Sequence, residues 1–213
     1  MKRLTLKEKI LNRCLKLIEE VYDESMYGEN DIYRIKDFIH SVDNNHWKSK
    51  QWLVDEFYKL YNHTDGSFYI GGGWYGLLAY LIREKWENES LNITSGDIDP
   101  RCEEFGWKLF HSSDINFMTE DMVSRDLSEY STVMSTSCEH IEPQILEKFI
   151  KSKSSNAWIV LQTNNYDELN EHINCYPDVM SFANWVEPLL SERIYFAGTL
   201  RLGDFDRFMV IGK

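Results

Sequence analysis

Phe68-Tyr69-Ile70-Gly71-Gly72-Gly73-Trp74-Tyr75-Gly76 runs directly into Leu77-Leu78-Ala79-Tyr80-Leu81-Ile82. Apolar β-formers lead into Gly-x-Gly-x-x-Gly and then into an apolar helical stretch, so the segment reads as strand, tight turn and helix. Glycines let the backbone approach a ligand closely, and the N–H groups at a helix start face an anionic or polar group. Glycine triplets also make plain loops, and the following strand weighs between the two. Leu91-Asn92-Ile93-Thr94-Ser95-Gly96-Asp97-Ile98-Asp99-Pro100 ends in an acidic residue. It lies roughly 20 positions beyond the glycines, where a nucleoside-binding unit needs a carboxylate for the ribose hydroxyls.

Outward from this unit, strand and helix alternate. Strands are expected near 68–70, 92–97, 108–111, 132–136 and 158–162, with helices at 76–86 and 143–151 between them. Pro143 suits a first helical position. A helix at 181–190 precedes two strands, 193–200 and 207–212, joined by Gly203-Asp204-Phe205-Asp206. The fold class is therefore α/β: a mostly parallel sheet with helices on both faces, closed by an antiparallel C-terminal hairpin.

Residues 1–66 read as a helical cap, leaving 67–213 as the α/β domain. Thr5-Leu6-Lys7-Glu8 is a capping box, and Leu6, Ile10, Cys14, Leu17 and Val21 follow at helical spacing. A polar loop is expected from Tyr22 to Asp31, then helices at 33–42 and 47–61, then a break at Asn62-His63-Thr64-Asp65-Gly66.

The 213 residues are 43% hydrophobic and 14% aromatic, enough for a sizeable core. No apolar run approaches the ~20 residues of a membrane helix. Met1-Lys2-Arg3 leads into a mixed charged stretch rather than an apolar signal core, so a cytoplasmic location is expected. Cys14, Cys102, Cys138 and Cys175 are widely spread and read as reduced thiols. The net charge of −12 argues against sequence-independent binding to nucleic-acid phosphates. Lys2, Arg3, Lys7, Lys9, Arg13 and Lys16 crowd the first turns and read as a solvated helix face or as a local basic patch.

This arrangement resembles the class I S-adenosylmethionine-dependent methyltransferases over residues 67–213. The resemblance implies a Rossmann-like seven-stranded sheet and S-adenosylmethionine as cofactor. It maps the family's glycine motif onto Tyr69 through Gly76, places Gly71, Gly72, Gly73, Trp74, Tyr75, Gly76 and Ile98 against the cofactor, and puts Asp97 at the ribose. It puts Asp114, in Phe110-His111-Ser112-Ser113-Asp114-Ile115, at the adenine amino group, and Cys138 beside the cofactor. Tyr69 stands where the family usually has an acid. Neither Asn-Pro-Pro-Tyr nor a Pro-Cys nucleophile motif follows the fourth strand; Ser135-Thr136-Ser137-Cys138-Glu139-His140-Ile141 does. That segment looks like the Glu-His-Ile strand end of small-molecule methyltransferases. Together with Leu161-Gln162-Thr163-Asn164-Asn165-Tyr166 and His172-Ile173-Asn174-Cys175, it also looks like uncharacterised phage-encoded proteins of this kind.

Methyl transfer needs an aligned acceptor, exclusion of water and, for a protonated acceptor, a base. His140 is the first candidate base and Glu139 the second; a histidine that merely fixes the loop is the alternative. Cys138 reads as a nucleophile or as a buried small apolar group. Asn164, Asn165 and Tyr166 could orient a polar substrate, or the asparagines could form the turn after strand five. Trp74 and Tyr75 could wall the cofactor or pack the turn against the cap. Cys138, His140, His172 and Cys175 form a possible zinc set, set against a reading with no metal.

The resemblance, with these residues, implies S-adenosylmethionine-dependent methyl transfer to a small polar acceptor as the expected function. The alternatives are a nucleic-acid base as acceptor, aminocarboxypropyl transfer or cleavage of the cofactor, a nicotinamide-dependent dehydrogenase, and a non-catalytic nucleoside-binding module. No membrane partner is expected.

Overall fold

The computed structural model describes residues 4–24, 36–61, 65–87, 90–110 and 114–213, with side chains in the first stretch to residue 19. The elements in chain order are α1 (Leu6–Glu24), α2 (Asn44–Leu60), β1 (Asp65–Gly71), α3 (Leu77–Lys85), β2 (Ser90–Asp97), α4 (Pro100–Phe110), β3 (Ile115–Thr119), β4 (Thr132–Ser135), α5 (Pro143–Ser152), β5 (Trp158–Asn164), α6 (Val179–Val186), β6 (Ile194–Leu202) and β7 (Phe205–Gly212). Residues 36–41 are also helical.

The seven strands form one sheet in the order β3-β2-β1-β4-β5-β7-β6. The first five pair in parallel, and β7 enters antiparallel between β5 and β6. The hairpin turn is tighter than the sequence suggests: Gly203 and Asp204 alone connect the strands, and Phe205 and Asp206 already pair within β7.

Successive side chains on a strand point to opposite faces, and the two faces build two cores. Phe68, Ile70, Ile93, Met134, Val160, Met209 and Ile211 share one with α1 to α4. Tyr69, Val133, Ile159, Leu161, Phe208 and Val210 share the other with α5 and α6. Cap residues Ile10, Cys14, Leu17, Phe38, Leu53 and Phe57 belong to the first core, so the cap and the sheet bury their apolar faces together. Burial on both faces is why these strands read as continuous apolar runs.

The helical N-terminus forms as its sequence directs. Thr5 N–H donates to Glu8 Oε2 at 2.7 Å, while Glu8 N–H donates to Thr5 Oγ1 at 3.3 Å. The helix continues to Glu24, past the expected loop start at Tyr22; the rest of that loop, with Gly28, lies outside the described residues. Asp43 caps α2 and starts it three residues before the expected Trp47.

The third strand is not where the sequence pattern puts it. Residues 108–110 are the last turn of α4, and the strand follows at Ile115–Thr119. Cys102, Phe105, Gly106, Leu109 and Phe110 are the buried face of that helix, a helical period that outweighs the short β-like run Lys108-Leu109-Phe110. Gly106 leaves space that the Phe117 ring fills, locking α4 onto β3. His111, Ser112 and Ser113 lie outside the described residues.

Candidate active site

In open α/β sheets ligands sit beyond the carboxyl ends of the strands. Register brings those ends together here: Gly71 pairs with Gly96 and with Ser135, and Ser135 with Leu161. A cavity of about 710 Å³ opens at that edge. Gly72, Gly73, Trp74, Tyr75, Asp97, Ile98, Glu139, His140, Asn164 and Tyr166, all expected from the sequence, line it.

The glycine turn is held by the acidic residue that follows it. Asp97 Oδ2 accepts the Trp74 backbone N–H at 2.8 Å and Oδ1 accepts the Asp99 N–H at 3.1 Å. The first bond stabilises Trp74 in the left-handed region, at φ 50°. Gly72 sits at φ 67°, and among the described residues a Cβ there would meet only Ser137 Cβ, at 3.9 Å. The cavity floor is thus open backbone, a cradle that any side chain at Gly72 would fill.

The cap closes over the turn. Asp37 Oδ2 accepts from Tyr75 Oη at 2.6 Å and from Trp74 Nε1 at 3.3 Å, so both aromatic residues of the turn bond to the cap. His40, Asp43 and His46 line the same side. Asp43 Oδ1 accepts from Asn45 N–H and His46 N–H, and lies 3.0 Å from His46 Nδ1. Burial, helped by Lys50, pushes the His46 imidazole down to about 4, despite the opposing pull of Asp43.

Lys50, from α2, is buried on the cavity wall, its Nζ 3.5 Å from the Thr136 carbonyl. Burial, then the neighbouring Arg207, drives its pKa well below that of an ordinary lysine. Arg207, on β7 opposite Asn164, donates to Glu139 Oε1 at 2.5 Å and to the Thr136 carbonyl. Burial pushes Glu139 up, but Arg207 outweighs it and holds the carboxyl below its usual value. Among the described residues, Glu139 Oε2 and Arg207 Nε are buried with no hydrogen-bond partner.

The turn Cys138–His140 follows β4. The Glu139 carbonyl accepts the N–H groups of Ile173 and Asn174, which fixes the loop after β5 against it. That loop brings His172 to His140, with ring centroids 4.6 Å apart and edge-to-face. His140 Nδ1 lies 3.2 Å from the Glu171 carbonyl, and His172 Nδ1 is bonded to the Tyr166 carbonyl. Among the described residues, two clusters place one potential metal-ligating atom per residue within 4.8 Å of one another: Glu139, His140 and His172, and, in the cap, His40, Asp43 and His46.

Other sequence expectations fall outside the cavity. Asp114 precedes β3 at the opposite end of that strand, exposed and at φ 52°, because the strand starts after it rather than before it. Glu120, Asp121 and Met122, after β3, take the place at the cavity that Asp114 was expected to hold. Gly71 is buried under Met122 and Phe149, and Gly76 starts α3 at φ 85° against Phe117; both shape the turn from behind. Cys138 is fully buried with Sγ on the Ser135 carbonyl, and burial pushes the thiol up to about 12, so its side chain packs in the core and does not line the cavity. Asn165 Oδ1 accepts the Asp206 N–H and ties down the hairpin. Asn164 accepts the Tyr166 N–H while still lining the cavity.

The zinc set weighed as an alternative, Cys138, His140, His172 and Cys175, does not assemble. Cys175 Sγ turns to Asn164 Oδ1 and the Tyr166 carbonyl, Cys138 turns inward, and the residue that joins the two histidines is Glu139. All four cysteines are free.

Lys50, Asp37, His40, Asp43, His46, Glu120 to Met122 and Arg207 were not singled out by the sequence. Arg207 alone carried a visible signal, a lone cation opening the apolar run Phe208-Met209-Val210-Ile211.

No family model and no curated protein matches the chain. Solved structures do match. Magnesium protoporphyrin IX methyltransferase (ChlM) from Synechocystis PCC 6803, with bound SAM, superposes with a TM-score of 0.63 at 12% identity, covering 99% of this chain and 98% of that one. The mitomycin 7-O-methyltransferase MmcR gives 0.63 at 9% identity, covering 96% and 68%. A S-adenosylmethionine-dependent methyltransferase from Clostridium acetobutylicum ATCC 824 gives 0.60 at 11%, covering 86% and 98%. At these identities the likeness establishes the fold: the Rossmann-like, seven-stranded sheet that these methyltransferases have.

Proposed function

We propose that this chain binds S-adenosylmethionine and catalyses methyl transfer to a small polar acceptor. The observation that carries the reading is the Asp97 carboxylate, clamped to the Trp74 N–H beside the open backbone of Gly72, at the carboxyl edge of a sheet with this strand order. The neighbours with this fold named above are methyltransferases, one of them with SAM bound.

The residues present fit the cofactor. Gly72 and Gly73 offer bare backbone, Asp97 keeps carboxylate lone pairs for ribose hydroxyls, and Ile98 with Met122 offers apolar walls for a base. Bound there, S-adenosylmethionine supplies an activated methyl group, so the protein's work is alignment and exclusion of water. The cap does the excluding, through Asp37, His46 and Lys50 along one wall.

Where the acceptor carries a proton, His140 is placed to take it. Its Nδ1 hydrogen points to the Glu171 carbonyl, which leaves the Nε2 lone pair as the acceptor. Glu139 is a poor base because Arg207 holds it ionised. Asn164 and Tyr166 line the acceptor's side.

The test is calorimetric titration with S-adenosylmethionine, S-adenosylhomocysteine and oxidised nicotinamide dinucleotide, followed by product analysis with candidate acceptors. Micromolar binding of the two sulfur nucleosides alone, with S-adenosylhomocysteine as product, is expected. Failure of both to bind ends the reading; methylthioadenosine as product replaces methyl transfer with transfer of the other arm.

A further inference from the structure

We propose that Glu139, His140 and His172 hold a divalent transition-metal ion whose open coordination positions face the cavity. Three independent features of the site converge on this.

First, three residues from two segments bring one potential ligand atom each to within 4.8 Å of the others, all on the cavity wall. A divalent ion bound at about 2.1 Å draws its ligands to roughly 3–3.4 Å apart, so small side-chain rotations close the set. Second, both imidazoles are already oriented as metal ligands are. Nδ1 of each faces a backbone carbonyl, Glu171 for His140 and Tyr166 for His172, which puts the hydrogen on Nδ1 and leaves Nε2 to coordinate. Third, Glu139 is more than nine-tenths buried, and its Oε2 has no partner among the described residues, a costly state that a bound ion would relieve. Arg207 occupies the other oxygen and fixes the carboxylate in place.

The donor set selects the ion. Two imidazoles and one carboxylate suit zinc, manganese, iron, cobalt or nickel rather than magnesium or calcium, which prefer oxygen cages. Three protein ligands leave positions free for an oxygen or nitrogen of the acceptor. Arg207 already offsets the Glu139 charge, so the bound ion leaves the site positive and favours an anionic acceptor atom.

The ion site stands on geometry alone, and its consequence for the acceptor rests on the methyl-transfer reading. In the metal-free protein His140 Nε2 takes the acceptor's proton. In the loaded protein that lone pair is given to the ion, the ion lowers the pKa of the coordinated acceptor group, and the proton leaves to water.

The test uses the full chain, free of any metal-binding tag and stripped with chelator, titrated with Co²⁺ followed by visible absorption and with Zn²⁺ and Mn²⁺ followed by calorimetry. One equivalent should bind. Affinity should fall by roughly a hundredfold in His140→Ala and in His172→Ala, since loss of even an outer partner of a metal site costs about 10- to 100-fold. His46→Ala should bind as the parent does. Absence of binding at millimolar ion overturns the proposal, as does parent-like binding in His172→Ala or loss in His46→Ala, which would move the ion to the cap. Binding of S-adenosylhomocysteine by each variant, measured without metal, separates a misfolded protein and a failed cofactor reading from a failed ion site.

Discussion

Arg207 on β7 and Glu139 after β4 form an ion pair at 2.5 Å, with side chains only 7% and 6% exposed. A buried pair adds little over an apolar pair, but removing one partner strands the other charge. Arg207→Met should therefore destabilise the protein by about 3–5 kcal/mol, and the double variant Glu139→Leu, Arg207→Met should recover most of that. Urea unfolding of the single and double variants measures the coupling.

Asp97 serves the turn and the proposed ligand at once. Hydrogen bonds to a charged group are worth about 1.5–3 kcal/mol, so Asp97→Ala should weaken S-adenosylhomocysteine binding by roughly 10- to 150-fold. Asp97→Asn keeps an acceptor for the Trp74 N–H and should lose less. Calorimetry on both variants separates turn support from ligand contact.

At Gly72 the backbone is left-handed and the space above it is cavity. Gly72→Val should cost about 1 kcal/mol or more in stability through φ alone, and should abolish nucleoside binding because the side chain fills the floor. A variant that binds normally would show that ligand does not approach this backbone.

His46 makes stability depend on pH. Its folded pKa of about 4 lies below the ordinary histidine value of 6.5, so between those values the unfolded chain takes up a proton that the folded one does not. Stability is complete above pH 6.5 and falls as the pH drops toward 4, by roughly 2–3 kcal/mol at about 1.4 kcal/mol per unit. Denaturation of the parent and of His46→Gln at pH 7.5 and pH 4.5 should show a smaller drop in the variant.

Where a local pattern matched its tertiary role, the sequence was readable. The run Phe68 to Gly76 shows a strand feeding a glycine turn because β1 is buried on both faces and Gly72 needs positive φ. The C-terminal hairpin was legible from two apolar runs around Gly203. Lys108-Leu109-Phe110 misled because a helix buried on one face also ends in apolar residues, and the error carried Asp114 to the wrong end of β3. The cap's share of the cavity was hidden for another reason. Asp37, His40, His46 and Lys50 sit on ordinary amphipathic segments, and only packing decides which polar side chains of such a helix face inward. The Glu139–Arg207 pair joins residues 68 positions apart, a distance no spacing rule spans.

Because β7 slots between β5 and β6, Arg207 joins the cavity wall only after β1 to β6 have been made. A nascent chain that has not yet reached residue 207 already holds the glycine turn, Asp97 and both histidines. It lacks the cation beside Glu139, and the apolar edge of β5 has no strand to cover it. Such a chain has an incomplete cavity wall and is a ready template for strand addition from another molecule. A complete cavity wall and protection from aggregation are thus acquired in the same step, when the antiparallel strand inserts.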